Sequence, residues 1–512
     1  MLSKKAALIA ALFILPAVLW AAPVLIEIDL QNRASFRLAQ SLGISPWARW
    51  DNTFLAEIES DKLELLSGNN IPYRIISENP KSRPGYLISP ELKEPVALTA
   101  GLSGKKVLSR PDLWFDQRSD KEAETLHHQG FILYPVGDRP IPLTYLERPE
   151  IVFPSGGQLD TIQYLVDQIV TDSLSSYVLR LEDFVTRYSY SDSVAPARQW
   201  ILDKFSSFGI DSVYLDHFYW NSDQWNVVAT VPGTVEPDRT IVVGGHYDSV
   251  TYNQAPGPLD FAPGADDNGS GTAATLELAR IISANPLPYT VVFIAFGQEE
   301  QGLRGGYAYA AQAAADGDDI RFMLNMDMIA YKPNDSQVKL LHNATSQPVA
   351  DLMDSLATIY AGLDGVKGSA AANSDHWPFM QQGYLSVFAH EYVFNAQGWH
   401  KNTDLSDSMN FDYLAKVTRL GMATLAALSQ PNCLALPGDV NGNTQISLED
   451  VIHTVNFLFN KPGGPWTIDP VCRGDVNATG SVTLGDIIFL ANYVLGKPGD
   501  WAPYSSGDCC LN

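Results

Sequence analysis

Apolar and polar positions along this chain change rhythm several times, and each rhythm predicts an element. Val24 to Leu30 alternates like a half-buried strand, and Arg33 to Leu42 carries apolar residues at helical spacing. Thr53 to Ile58 predicts a second strand, Asp61 to Leu66 a short helix and Tyr73 to Ser77 a third strand. Together these predict a small α+β unit over 23–83, either a prosegment or a structural or docking module. Residues 84–157 hold short apolar runs among Pro and Gly and read as a β-rich region or linker.

From Gln158 the pattern lengthens. Helical spacing covers Thr161 to Thr186 and Pro196 to Phe208. Thr240 to Gly245, Thr290 to Phe296, Phe322 to Met326 and Leu385 to Ala389 are continuous apolar strands. Helices are predicted at Gly271 to Ser283, Gly306 to Ala315, Gln347 to Tyr360 and Phe411 to Leu428. Uninterrupted apolar strands separated by helices predict an α/β sheet covered on both faces, in a domain spanning 158–430. Beyond a linker at 431–437, GDVNGNTQISLEDVIHTVNFLFNKPG from Gly438 is echoed by GDVNATGSVTLGDIIFLANYVLGKPG from Gly474. Such a duplication marks a paired module, here 438–512.

Composition narrows the function classes. With 512 residues the chain needs several domains. A net charge of −24 argues against nucleic acid, because phosphates would repel this surface. At the N-terminus, Lys4 and Lys5 precede an apolar run from Ala6 to Trp20, then Ala21, Ala22 and Pro23. That run is short for a membrane helix, so 1–22 reads as a signal peptide and the protein as secreted, with an uncleaved anchor as the alternative. Cys433, Cys472, Cys509 and Cys510 all lie beyond the catalytic motifs, where an oxidising compartment would allow one or two disulfides.

Candidate chemistry sits in five motifs, GGHYDS, PGADDNGSG, GQEEQG, NMDM and WHKNTD, of which His246, Glu299 with Glu300, and Asp327 fall just after predicted strands. Ligand sites of open α/β sheets lie off the carboxyl ends of strands. His246, Asp266, Glu300, Asp327 and His400 supply two imidazoles and three carboxylates. Such a cluster needs cations to remain ionised when buried, and two zinc ions satisfy it. Asp266 is the expected bridge, with Glu300 and His400 on one ion and His246 and Asp327 on the other. Glu299, beside a ligand, is the expected general base for a zinc-activated water. Asp248 is expected to orient His246, and Asp404 to orient His400. The rival to His400 is His376 in SDHWPF. A serine hydrolase built on Ser270 is disfavoured, since the GxSxG elbow is absent.

These motifs, with SDHWPF, resemble the co-catalytic zinc aminopeptidase family, over about Gln158 to Gln430. The resemblance implies a three-layer α/β/α sandwich with a mixed, mainly parallel sheet. It implies zinc at His246, Asp266 and Asp327 and at Asp266, Glu300 and His400, with Glu299 as base and Asp248 behind the first histidine. A cis peptide at Asp266–Asp267 is implied too. The reading is a secreted exopeptidase acting on peptide or protein substrates. Alternatives are a glutaminyl cyclase-like or carboxypeptidase member of the fold, or an inactive binding protein. Tyr392 and Phe394 are candidates for the substrate pocket or for core packing.

In the repeats, Asp439, Asn441, Asn443, Gln445 and Asp450 fall at positions 1, 3, 5, 7 and 12 of a calcium loop. Asp475, Asn477, Thr479, Ser481 and Asp486 repeat the spacing. Thr444 replaces the glycine usual at position 6, and Thr479 is a weak ligand. The pair resembles a type I dockerin. That implies calcium and a cohesin-type partner, against the alternative of a calcium-stabilised terminal domain with no such partner.

Overall fold

The computed structural model describes residues 22–80, short stretches between 85 and 154, 157–429 apart from 221, and most of 437–503. Residues 1–21 of the candidate signal peptide, all four cysteines, Asn443, Thr444 and Thr479 lie outside the described residues. No helix among those described is long and apolar enough to cross a membrane.

The N-terminal unit is a four-stranded antiparallel sheet. Its strands are β1 (Pro23–Asp29), β2 (Ser45–Trp50), β3 (Thr53–Glu59) and β4 (Tyr73–Ser77), in the order β2-β3-β1-β4. Helix α1 (Arg33–Ser41) starts at an Asn32 cap, whose side chain accepts the Ala34 and Ser35 amides, and α2 spans Leu63–Gly68. Strand β2 is not among the predicted elements. A register shift at Pro46 breaks its alternation, and Trp47 to Trp50 are buried on both sides, so no period of two is visible. A second sheet of β5 (Gly85–Pro90), β6 (Lys105–Lys106), β7 (Trp114–Gln117) and β8 (Phe131–Val136) follows.

The largest sheet has eight strands. They are β9 (Ser212–Tyr219), β10 (Asp223–Val231), β11 (Glu236–His246), β12 (Tyr289–Phe296), β13 (Asp319–Met326), β14 (Gln337–His342), β15 (Asp364–Ser369) and β16 (Ser386–Glu391), in the order β15-β14-β16-β13-β11-β12-β10-β9. Pairs β11/β12, β11/β13, β13/β16 and β14/β15 are parallel; β9/β10, β10/β12 and β14/β16 are antiparallel. The sheet is therefore mixed, as expected.

Helices cover both faces: α3 (Gly157–Val166), α4 (Thr171–Glu182), α5 (Val194–Ser207), α6 (Gly271–Ala284), α7 (Arg304–Asp316), α8 (Gln347–Leu356), α9 (His376–Gln382) and α10 (Phe411–Leu428). The single helix expected over Thr161 to Thr186 is two, α3 and α4. Between them the chain turns, and the Val170 amide donates to buried Glu277 at 2.8 Å. Strand β12 shows why the faces are distinct. Val291, Phe293 and Ala295 join the core under α4, α5, α6 and α10, while Val292, Ile294 and Phe296 join the core under α7 and α9.

The N-terminal units share a core with the domain built on the eight-stranded sheet. Trp47, Trp50, Leu55, Leu87 and Phe115 pack with Leu303, Ala372 and Trp377. Fully buried Arg49 donates to the Asp51 carbonyl at 2.8 Å, the Pro142 carbonyl at 3.3 Å and the Thr144 hydroxyl at 3.2 Å. Its own backbone pairs with the Gln381 side chain on α9.

In the C-terminal repeats α11 (Leu448–Leu458) and α12 (Leu484–Val494) pack through Val440, Val451, Val476, Ile487 and Leu490. Each starts at a capping box, Ser447 with Asp450 and Thr483 with Asp486.

Candidate active site

Each expected motif sits where the sheet delivers it. His246 ends β11, Glu299 and Glu300 lie in the turn after β12, Asp327 follows β13, and His400 lies in the long loop after β16. Neighbouring parallel strands end side by side, so their first loop residues converge. Close backbone approach makes this possible. A Cβ on Gly245 would stand 2.6 Å from the Met326 carbonyl oxygen, and one on Gly271 2.0 Å from the same atom.

The side chains meet in one buried cluster. His246 Nε2 lies 3.2 Å from Asp267 Oδ1, 3.5 Å from Asp327 Oδ1 and 3.7 Å from Glu299 Oε2. His400 Nε2 lies 2.9 Å from Glu300 Oε2 and 3.3 Å from Asp267 Oδ2. The donor groups His246, Asp267, Asp327 and Asp267, Glu300, His400 each fit within 4.8 Å. Two triads thus share Asp267, one oxygen for each.

Asp267, not Asp266, is therefore the shared carboxylate, and the expectation for Asp266 is corrected. The Asp266 side chain turns the other way. Its Oδ1 accepts the Ala330 amide at 3.0 Å and its Oδ2 accepts Asn395 Nδ2 at 3.2 Å. The non-proline cis peptide is likewise one step on, at Asp267–Asn268. A run of two aspartates and an asparagine offers no sequence signal for which carboxyl faces the histidines; the turn decides it.

That turn is held from two sides. Asp404 accepts the Asp266 amide at 3.1 Å and the Asp267 amide at 2.9 Å. Asp404 thus clamps the shared-ligand loop, where the sequence suggested it behind His400. Arg187, which sequence reasoning missed, is fully buried and donates to the carbonyls of Tyr247, Pro263 and Gly264 at 2.6–2.7 Å. Its partners are backbone atoms distant in sequence, so no local pattern announces it.

Asp248 also differs in detail. His246 Nδ1 hydrogen-bonds the Asp248 backbone carbonyl at 3.0 Å, while the Asp248 carboxylate stands 3.6 Å away. The carboxylate instead accepts the Glu299 and Glu300 amides at 3.1 and 3.3 Å and the Ser189 hydroxyl at 3.1 Å. One residue so fixes both the histidine and the Glu299–Glu300 turn. His376 is not in the cluster: its Nε2 lies 2.9 Å from the Ala371 carbonyl and its ring stacks on Phe388 at 4.9 Å. Phe394 packs edge-on against Trp399, which stacks on His400 at 4.3 Å, whereas Tyr392 is exposed.

The cluster's electrostatics ask for cations. Burial pushes the Glu300 carboxyl up to about 8 and the Glu299 carboxyl well above the usual range. Burial acts the same way on Asp267, but hydrogen bonds from His246 and His400 outweigh it and hold that carboxyl below the usual range. His246 is pulled down by burial, yet the Glu299 and Asp327 carboxylates raise it well above its ordinary value. Buried Glu300 Oε1 and Asp327 Oδ1 have no hydrogen-bond partner among the described residues. Unsatisfied carboxylate oxygens beside two imidazoles are a donor set that fits divalent cations such as zinc.

Known proteins resemble this chain in sequence and in fold. Residues 226–425 match the family described as Peptidase family M28. A probable zinc metalloprotease of Pyrenophora teres f. teres is 29% identical over 334 residues, covering 56% of this chain and 70% of its own length. A leucine aminopeptidase 1 of Ajellomyces capsulatus (strain H88) is 27% identical over 299 residues, 54% of this chain and 77% of its own. In fold, the LapA aminopeptidase of Legionella pneumophila is similar with a TM-score of 0.55 at 17% identity, over 68% of this chain and 98% of that one. LapB from the same organism gives 0.50 at 18%, over 80% and 100%. The match to peptidase family M28 is thus confined to residues 226–425, and with these relatives it supports the conclusion that the protein is a metallopeptidase.

Proposed function

We propose that this protein is a secreted aminopeptidase that removes N-terminal residues from peptides with two zinc ions. The observation carrying the proposal is the position of Asp267, one carboxylate oxygen toward His246 and the other toward His400. His246, Asp267 and Asp327 would hold one ion, and Asp267, Glu300 and His400 the other. Bound zinc supplies Lewis-acid polarisation of the scissile carbonyl and acidifies the attacking water. Glu299 takes the proton of that water and returns it to the leaving amine. Its carboxyl lies 3.7 Å from His246 at the edge of the cluster, and Asp248 holds its backbone in place.

The test is release of nitroaniline from aminoacyl-nitroanilides with and without a chelator. Glu299→Gln is expected to keep its zinc and lose about 10²–10⁴-fold in kcat. A fully active variant removes Glu299 from the role of base.

We further propose that the C-terminal repeats bind calcium and dock a cohesin-type partner. Support comes from the closing aspartates, which fold back onto their own loops. Asp450 accepts the Asn441 amide at 3.1 Å, and Asp486 the Asn477 amide at 3.3 Å. Asp439 and Asp475 are buried at the loop starts, and Asn441, Asn477, Gln445 and Ser481 complete the described candidates.

A further inference from the structure

Asp327 presents two oxygens with different fates. Oδ1 faces His246 at 3.5 Å and has no hydrogen-bond partner among the described residues. Oδ2 accepts the hydroxyl of Ser374 at 2.7 Å. Ser374 Oγ in turn accepts Nδ2 of Asn325 at 2.7 Å. Asn325 and Ser374 are fully buried.

Chemistry fixes the direction of this chain. A carboxylate only accepts, so the hydroxyl proton must point at Asp327. That leaves the hydroxyl lone pair for Asn325, whose amide must therefore present its NH₂. Ser374 stands just ahead of α9, where serine hydroxyls usually turn to the first helical amides. Here no side chain caps α9; the Ser374 carbonyl accepts the Trp377 amide at 3.0 Å while the hydroxyl goes elsewhere.

We infer that Ser374 is a positioning residue for metal binding: with Asn325 it locks Asp327 so that Oδ1 alone is offered to the ion held with His246 and Asp267. This rests on the two-zinc reading above. Carboxylates that ligate metals are themselves held by hydrogen bonds, and losing such a partner costs about 10- to 100-fold in metal affinity.

The experiment is zinc titration of the metal-free full chain against a competing chelator. If the wild type takes up fewer than two equivalents, the two-zinc reading itself fails. With two equivalents in the wild type, Ser374→Ala is expected to bind one ion unchanged and the other about 10- to 100-fold more weakly. Ser374→Thr, which restores a hydroxyl, is expected to recover most of that affinity. Thermal unfolding of metal-free Ser374→Ala should lie near the wild type, while its gain on adding zinc shrinks. Should Ser374→Ala fail to fold, Asn325→Leu decides, because it keeps volume and leaves the hydroxyl unfixed; a severalfold loss at one ion is expected. Two equivalents bound with wild-type affinity in either folded variant overturns the inference.

Discussion

Asp266 and Asp267 are adjacent and chemically identical, yet only one can face the histidines. Asp267 → Asn should reduce bound zinc below two per chain, since an amide cannot neutralise two cations. Asp266→Asn should keep both ions and lower stability instead, as its carboxylate serves the Ala330 amide and Asn395. Metal analysis of the two variants checks this; the opposite pattern would restore Asp266 as the shared ligand. Another single residue governs acid stability. Burial, helped by Lys339, pulls His390 down to about 4, and its Nδ1 lies 2.7 Å from the Glu391 carbonyl. The folded state then resists a proton that the unfolded chain accepts below about 6.5. Stability is therefore full above pH 6.5 and falls as pH drops toward 4, by on the order of 3 kcal/mol from this group. Denaturant unfolding of metal-free His390→Gln at pH 7 and pH 4 should show a smaller acid loss than the wild type. Equal losses would remove His390 from the account.

Elements differ in how openly the sequence announces them. Long apolar strands such as β12 were legible because both faces are buried and Val291 to Phe296 is an unbroken apolar run. Helix α10 was legible because its apolar stripe lasts five turns. The short helix α9 was not, since it is buried all round and starts with SDHWPF, a stretch without period. Its importance comes from what rests on it: β2 packs on one side through Arg49 and Gln381, and Ser374 leads into it from the site. The site residues were legible by type and order, but their pairing was not. Which carboxyl bridges, and what Asp404 and Asp248 hold, depends on turn geometry and on partners scores of residues away. Arg49 tests the seam between N-terminal and catalytic units. Arg49→Ala leaves several buried acceptors unpaired and should cost about 3 kcal/mol in denaturant unfolding. A loss below about 0.5 kcal/mol, the size of a neutral surface change, would show that the seam does not depend on it.

At the scale of the whole molecule, an acidic chain buries carboxylates together at two places where cations would neutralise them, the His246–His400 cluster and the starts of the two repeat loops. Calcium removal should unfold the repeats and leave the catalytic sheet intact, because their small core of Val440, Val451, Val476, Ile487 and Leu490 is separate from the main one. Circular dichroism of the 438–512 signal within the full chain, followed as calcium is withdrawn, reads this out as a low-temperature transition that calcium abolishes. The central claim, zinc-dependent removal of N-terminal residues, is tested most directly by mass spectrometry of one peptide digested by metal-free and zinc-restored enzyme, beside its N-acetylated copy. Stepwise shortening from the free N-terminus only with zinc, and no cleavage of the acetylated copy, is the predicted result. Loss of residues from the C-terminus, shortening of the acetylated peptide, or equal activity without zinc would contradict it.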